Sequence, residues 1–150
     1  MKIPNAALAY REAASLGASP VGVVVLLYDR LAQDIHAAMA AMKSTDVEAR
    51  ALSINHALLI LQQLQGGLDF TAGGTAAHQL DAFYSHIRGK LLEAQMRQSP
   101  DLLLAQAQAI AQVRESWAEV ERNQAQVATA VPPGASDTAN ARAPALNLGA

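Results

Sequence analysis

Proline is the residue a helix tolerates least, and through Arg122 this chain places it only at Pro4, Pro20 and Pro100. Each stands where a helix could start, because the first helical position needs no N–H and suits proline's fixed φ. Two of the three follow a serine, in Ser19-Pro20 and Ser99-Pro100, and a serine hydroxyl at that point can accept from a free N–H of the first turn. The stretches between are rich in Ala, Leu and Gln and poor in aromatics, which is an all-helical signature.

Apolar periodicity supplies the helices. Val24, Leu27, Leu31, Ile35, Met39 and Met42 recur at spacings of three and four and predict a first long helix from Pro20 to about Lys43. Thr45 and Glu48 read as a Thr-x-x-Glu capping box that starts a second helix. Its stripe is Val47, Ala51, Ile54, Leu58, Leu61 and Leu68, widened by Leu59, Ile60 and Leu64. Gly66-Gly67 could end it, but Leu68 continues the period, so it is extended to about Phe70, with Gly73-Gly74 as the stronger stop. A third helix carries Ala77, Leu80, Tyr84, Ile87, Leu91 and Ala94 to about Arg97, and a fourth carries Leu103, Ile110, Val113, Trp117 and Val120.

Helices of roughly 20–25 residues are about 30–38 Å long at 1.5 Å per residue, and similar lengths can lie side by side. Short connections make neighbours antiparallel, so the predicted architecture is an antiparallel up-down four-helix bundle. Asn5 to Ser15 is a short Ala-rich segment, too short to be stable alone, which either docks on the bundle as an N-terminal capping helix through Tyr10 or stays mobile. Beyond Asn123 the chain turns to Ala, Asn and Gln, and Pro132-Pro133-Gly134 breaks any helix. The expected division is a bundle domain over 1–122 and a disordered Ala/Pro-rich tail over 123–150, with a helical continuation at its start.

A chain of 150 residues suits one domain with one core. It has no cysteine, which removes a disulfide scaffold, a thiolate nucleophile and Cys-ligated metal centres. A formal net charge of −2 gives no global attraction to phosphate backbones or anionic lipid, so nucleic acid is not an expected partner. The N-terminus reaches polar residues too early for a secretion signal, and the longest apolar run, Val21 to Tyr28, falls far short of the ~20 residues that span a bilayer. The expectation is a soluble, cytoplasmic protein with no membrane insertion.

The four histidines, His36, His56, His78 and His86, are the first candidates for metal or acid–base chemistry. They match neither the paired His of a zincin nor the Glu-x-x-His pairs of a di-iron bundle, and read as solvated helix positions, with His56 partly buried beside its stripe. His86-Ile87-Arg88-Gly89-Lys90 invites comparison with histidine phosphotransfer bundles, but the basic residue and the glycine are each one position out of register, about 100° of helix rotation. The glycine pairs form no phosphate loop, and no Gly-x-Ser-x-Gly elbow occurs. No enzyme activity, metal or cofactor is expected.

The stronger signal is an excess of apolar surface. Val23 to Tyr28 and Leu58 to Leu61 each put large apolar groups round more than half a turn. A central helix touching two neighbours would account for this, and so would a groove for a partner helix docking by i, i+3, i+4, i+7 anchors. Periodicity does not separate the two.

Particular motifs add a family. Tyr10, Ser19-Pro20, Leu27-Tyr28-Asp29, Gly73-Gly74 and the closing Arg114-x-x-Trp117 occur in an order and spacing that resembles the flagellar export chaperone FliS family over roughly Tyr10 to Glu121. The chain departs from the family pattern at Arg30 (usually glycine), at Leu58-Leu59 (mostly polar), at Phe83 (leucine) and in lacking an asparagine near Ala94-Gln95. The resemblance implies a cytoplasmic chaperone that binds the disordered C-terminal segment of flagellin, keeps it from polymerising early and delivers it to components of the flagellar export apparatus. It also implies that the segment carrying Tyr10 lies over part of the client groove and moves aside. The client surface expected on this basis is Tyr10, Leu27, Tyr28, Leu59, Ile60 and Gln63, in a monomer or weak homodimer. Tyr28 reads equally as a buried tyrosine whose hydroxyl finds an acceptor, Asp29 as a polar-face or capping residue, and Trp117 as core. The alternatives are a histidine phosphotransfer-type bundle and a generic helical adaptor with another client.

Overall fold

The computed structural model describes residues 19–130, and the segment carrying Tyr10 and the chain beyond Ala130 lie outside them. Four helices, α1 (Pro20–Lys43), α2 (Val47–Gly66), α3 (Phe70–Arg97) and α4 (Pro100–Ala130), follow one another through connections of two or three residues. Connections this short turn each helix back along its predecessor. α1 packs closely on both α2 and α4; α3 closes the far side, touching α2 and α4 more loosely, and its backbone does not approach that of α1. The antiparallel four-helix arrangement expected from the periodicity is present, and α4 continues past Arg122 as a helix to Ala130.

Local chemistry fixes the helix ends. The Gly22 N–H donates to Ser19 Oγ at 3.0 Å and the Leu102 N–H to Ser99 Oγ at 3.3 Å, so both Ser-Pro pairs start helices as predicted. The predicted Thr45–Glu48 capping box does not form. Thr45 is instead held at φ +57°, a conformation disfavoured for a β-branched residue, where it reverses the chain at the end of α1 while the Asp46 N–H donates to the Ala41 carbonyl. Asp46 then caps α2, its Oδ1 accepting from the Ala49 N–H at 3.0 Å.

The second helix is also shorter than predicted. It stops at Gly66, and Asp69 opens α3 by accepting from the N–H groups of both Thr71 and Ala72 at 3.0 and 2.9 Å. Two satisfied N–H groups favour a new helix start here, and Leu68 still packs against the core from the connection. Gly73-Gly74 is accordingly not a terminus but a bend near the start of α3. Gly74 takes φ +53° and ψ −132°, a combination that glycine alone adopts easily. The bend brings the Phe70 ring back onto His78, with centroids 4.8 Å apart.

Inward faces from all four helices merge into one core, with Tyr28, Leu31 and Ile35, then Ile54, Ile60 and Leu61, then Tyr84, Ile87 and Leu91, and finally Leu103 and Ile110, all fully buried. The predicted stripes of α1 and α3 hold, with Val24, Met39 and Met42 at the edge of the core. On α2 the buried line turns by about one position. Ile54, Ala57, Leu61 and Leu64 point inward, Val47 is exposed and Leu58 is only half-buried. The reason is that α2 must serve α1 and α3 at once, which rotates its inward face away from the single stripe a two-body contact would use.

Candidate binding groove

Because α3 stands off from α2, an open groove of about 660 Å³ lies between them, lined by Asn55, Leu58, Leu59, Gln62, Gln65 and Arg88. Asn55, Leu58, Gln62 and Gln65 are three or four residues apart and so share one side of α2. Gln65 bridges to α3, its Nε2 donating to Asp81 Oδ1 at 3.1 Å and to Ser85 Oγ at 3.0 Å, and this closes one end of the groove. From there the antiparallel register places Arg88 one turn beyond Ser85 and Leu92 one turn further. Leu52 on α2 and Met96 on α3, one to two turns further along the same helices, are also exposed, at 70% and 85%. A furrow with an apolar floor and an amide and guanidinium rim can hold an amphipathic helix or an extended apolar segment.

Of the expected client residues, only Leu59 lines this groove, with 38% of its surface open. Gln63 is exposed on α2 but outside the lining. Leu27, Tyr28 and Ile60 belong to the core rather than to the surface, since the same helical turns that expose Leu26 and Leu59 aim them inward. Tyr10 lies outside the described residues. Asn55, Gln62, Gln65 and Arg88 were not anticipated as site residues. The spacing of amides along α2 was the available signal, but nothing in the sequence says that α3 stands back from them.

Elsewhere in the bundle, three polar pairs tie the helices together. The Tyr28 and Tyr84 hydroxyls meet at 2.7 Å. Burial pushes the Tyr28 hydroxyl up to about 12, with Tyr84 and the nearby Trp117 indole working against the shift, while the indole N–H itself completes no hydrogen bond. Tyr84 is raised as well, by burial first and then by Tyr28. Arg114 of α4 donates from Nε to Asp29 Oδ1 at 2.8 Å and from Nη2 to Oδ2 at 3.3 Å, a two-pronged clamp that makes Asp29 a polar-face ion partner. Tyr28-Asp29 and Arg114-x-x-Trp117, far apart in the chain, thus meet as one unit. His56, expected to be only partly buried, is buried and hydrogen-bonded through Nδ1 to Asp34 of α1, leaving Nε2 without a partner. Burial raises the Asp34 carboxyl, opposed by His56 and then by Arg30, whose Nε lies 3.9 Å away.

His36, His78 and His86 are exposed, and no group of three His, Asp or Glu among the described residues is arranged to hold a metal ion. No helix among them is long and apolar enough to cross a membrane.

Comparison with known proteins accounts for the pattern. The profile of the family described as flagellar protein FliS matches residues 3–124. The flagellar secretion chaperone FliS of Salmonella typhimurium is 26% identical over 110 residues, covering 73% of this chain and 82% of that protein. Its counterpart in Campylobacter jejuni is 26% identical over 106 residues, covering 71% and 83%. The match spans all but the last few residues of the bundle, including the Ser-Pro start, the Tyr-Asp pair and the Arg-x-x-Trp that closes on it, and the chain belongs to the FliS family.

Proposed function

We propose that this protein is a cytoplasmic export chaperone that holds the disordered C-terminal segment of flagellin, prevents its premature polymerisation and presents it to the export apparatus. The observation that carries this reading, given the family, is the open α2–α3 groove with Leu58 and Leu59 in its lining, on helices that also expose Leu52, Leu92 and Met96. Exposed large apolar side chains gathered on two neighbouring helices suit a partner that covers them. A disordered client would fold as it docks, with roughly 2–5 kcal/mol of the gross interaction going to its ordering. Covering the client's assembly surface is then the whole of the action, and no bond need be made or broken.

In this reading Leu59 and Gln63 meet the client directly, Leu27, Tyr28 and Ile60 support that surface from the core, and Tyr10 is the movable cap. Titrating a peptide of the flagellin C-terminus into the chain should give one-to-one binding with a negative heat-capacity change. Calorimetry without heat at micromolar concentrations, at two temperatures, would overturn it.

A further inference from the structure

Arg88 is half-buried in the lining of the α2–α3 groove and has no acidic partner among the described residues. The other charges nearby on α3 are engaged: Lys90 and Arg97 both bind Glu93, and Asp81 accepts from Gln65. Asn55 and Gln62 on the facing wall are amides, which offer the guanidinium no charge. Any segment that fills the groove removes water from Arg88. A purely apolar segment would leave a desolvated, unpaired cation, which offsets the gain from covering Leu58 and Leu59. A carboxylate brought opposite Arg88 converts that penalty into a charge-assisted, two-pronged pair.

We infer that Arg88 is a specificity residue that selects a client segment carrying one carboxylate between its apolar anchors. The groove wall from Asn55 to Gln65 spans eleven residues, about 15 Å at helical rise, so the carboxylate must fall within a stretch of roughly three helical turns. This rests on the client reading above and adds to it which chemistry the client must bring.

The test is a binding cycle with the full chain and a synthetic peptide of the last fifty residues of flagellin. In the peptide each Asp and Glu is changed in turn to Asn or Gln, and a further version has its C-terminal carboxylate amidated. Arg88→Gln should weaken binding about ten- to thirtyfold, and one peptide variant should lose as much against the unchanged chain. That variant and Arg88→Gln together should lose no more than either alone, and Arg88→Lys should retain part of the affinity. Whether the amidated or a side-chain variant shows the coupling identifies the source of the carboxylate. Because the peptide-side changes leave the chain intact, misfolding of Arg88→Gln would not blunt the test. Binding that is indifferent to Arg88 and to every peptide carboxylate overturns this assignment alone, whereas no binding to the unchanged chain overturns the client reading and this one with it.

Discussion

Tyr28 on α1 and Tyr84 on α3 join hydroxyl to hydroxyl at 2.7 Å, with ring centroids 6.2 Å apart in an edge-on arrangement, across the diagonal of a bundle whose α1 and α3 backbones do not touch. The two side chains span the core between these helices, and each buried hydroxyl answers the other's need for a partner.

Removing one hydroxyl should therefore hurt more than removing both. Tyr84→Phe or Tyr28→Phe alone strands a buried hydroxyl and should lower stability by about 1–3 kcal/mol, while the double Phe protein should recover part of that loss. Urea unfolding of the three variants decides it, and additive losses would show that the hydroxyls do not depend on each other.

The same pair gives an alkaline limit. Both hydroxyls are raised above the ordinary 10.0, Tyr28 to about 12. Between those values the unfolded chain gives up tyrosine protons that the folded chain retains, so the unfolded state binds fewer protons and stability falls as pH rises. The contribution is fully present below pH 10 and is lost as pH rises through about 12. Thermal unfolding followed from pH 8 upward should show a decline that is shallower in the double Phe protein. Equal slopes would show that the tyrosine hydroxyls do not carry the alkaline loss.

Asp34 and His56 hold α1 to α2 from inside. Asp34→Ala leaves His56 with neither ring nitrogen bonded and should cost about 2–4 kcal/mol, because breaking one side of a buried polar pair strands the other. Replacing both residues by leucine should restore much of the loss. Differential scanning calorimetry at neutral pH tests this, and a single variant as stable as the parent would mean that the pair contributes nothing.

Leu59 and Ile60 are adjacent in sequence and opposite in role. Leu59→Gln should weaken client binding about tenfold while moving the melting temperature by less than about 2 °C, since its side chain already meets water. Ile60→Gln, at a fully buried site, should destabilise the bundle by about 3 kcal/mol or more. A large melting shift in Leu59→Gln would return that residue to the core.

The sequence alone determined the helical class, the extents of α1 and α3's C-terminal part, both Ser-Pro starts and the inward faces of three helices, because prolines, caps and the 3.6-residue period act over a few neighbouring residues. Its errors lay where two local signals competed. Thr45 could cap α2 or reverse α1, and Leu68 could extend α2 while Asp69 could start α3; in each case the option satisfying more backbone N–H groups prevailed. The joining of Tyr28 to Tyr84, Asp29 to Arg114 and Asp34 to His56 was decided only by tertiary structure, since the partners lie on different helices, 22 to 85 residues apart. So was the division between core and groove. Leu58, Leu59 and Ile60 are equally apolar in sequence, and what sorts them is the rotation of α2 against both α1 and α3, which buries Ile60, half-buries Leu58 and leaves Leu59 open.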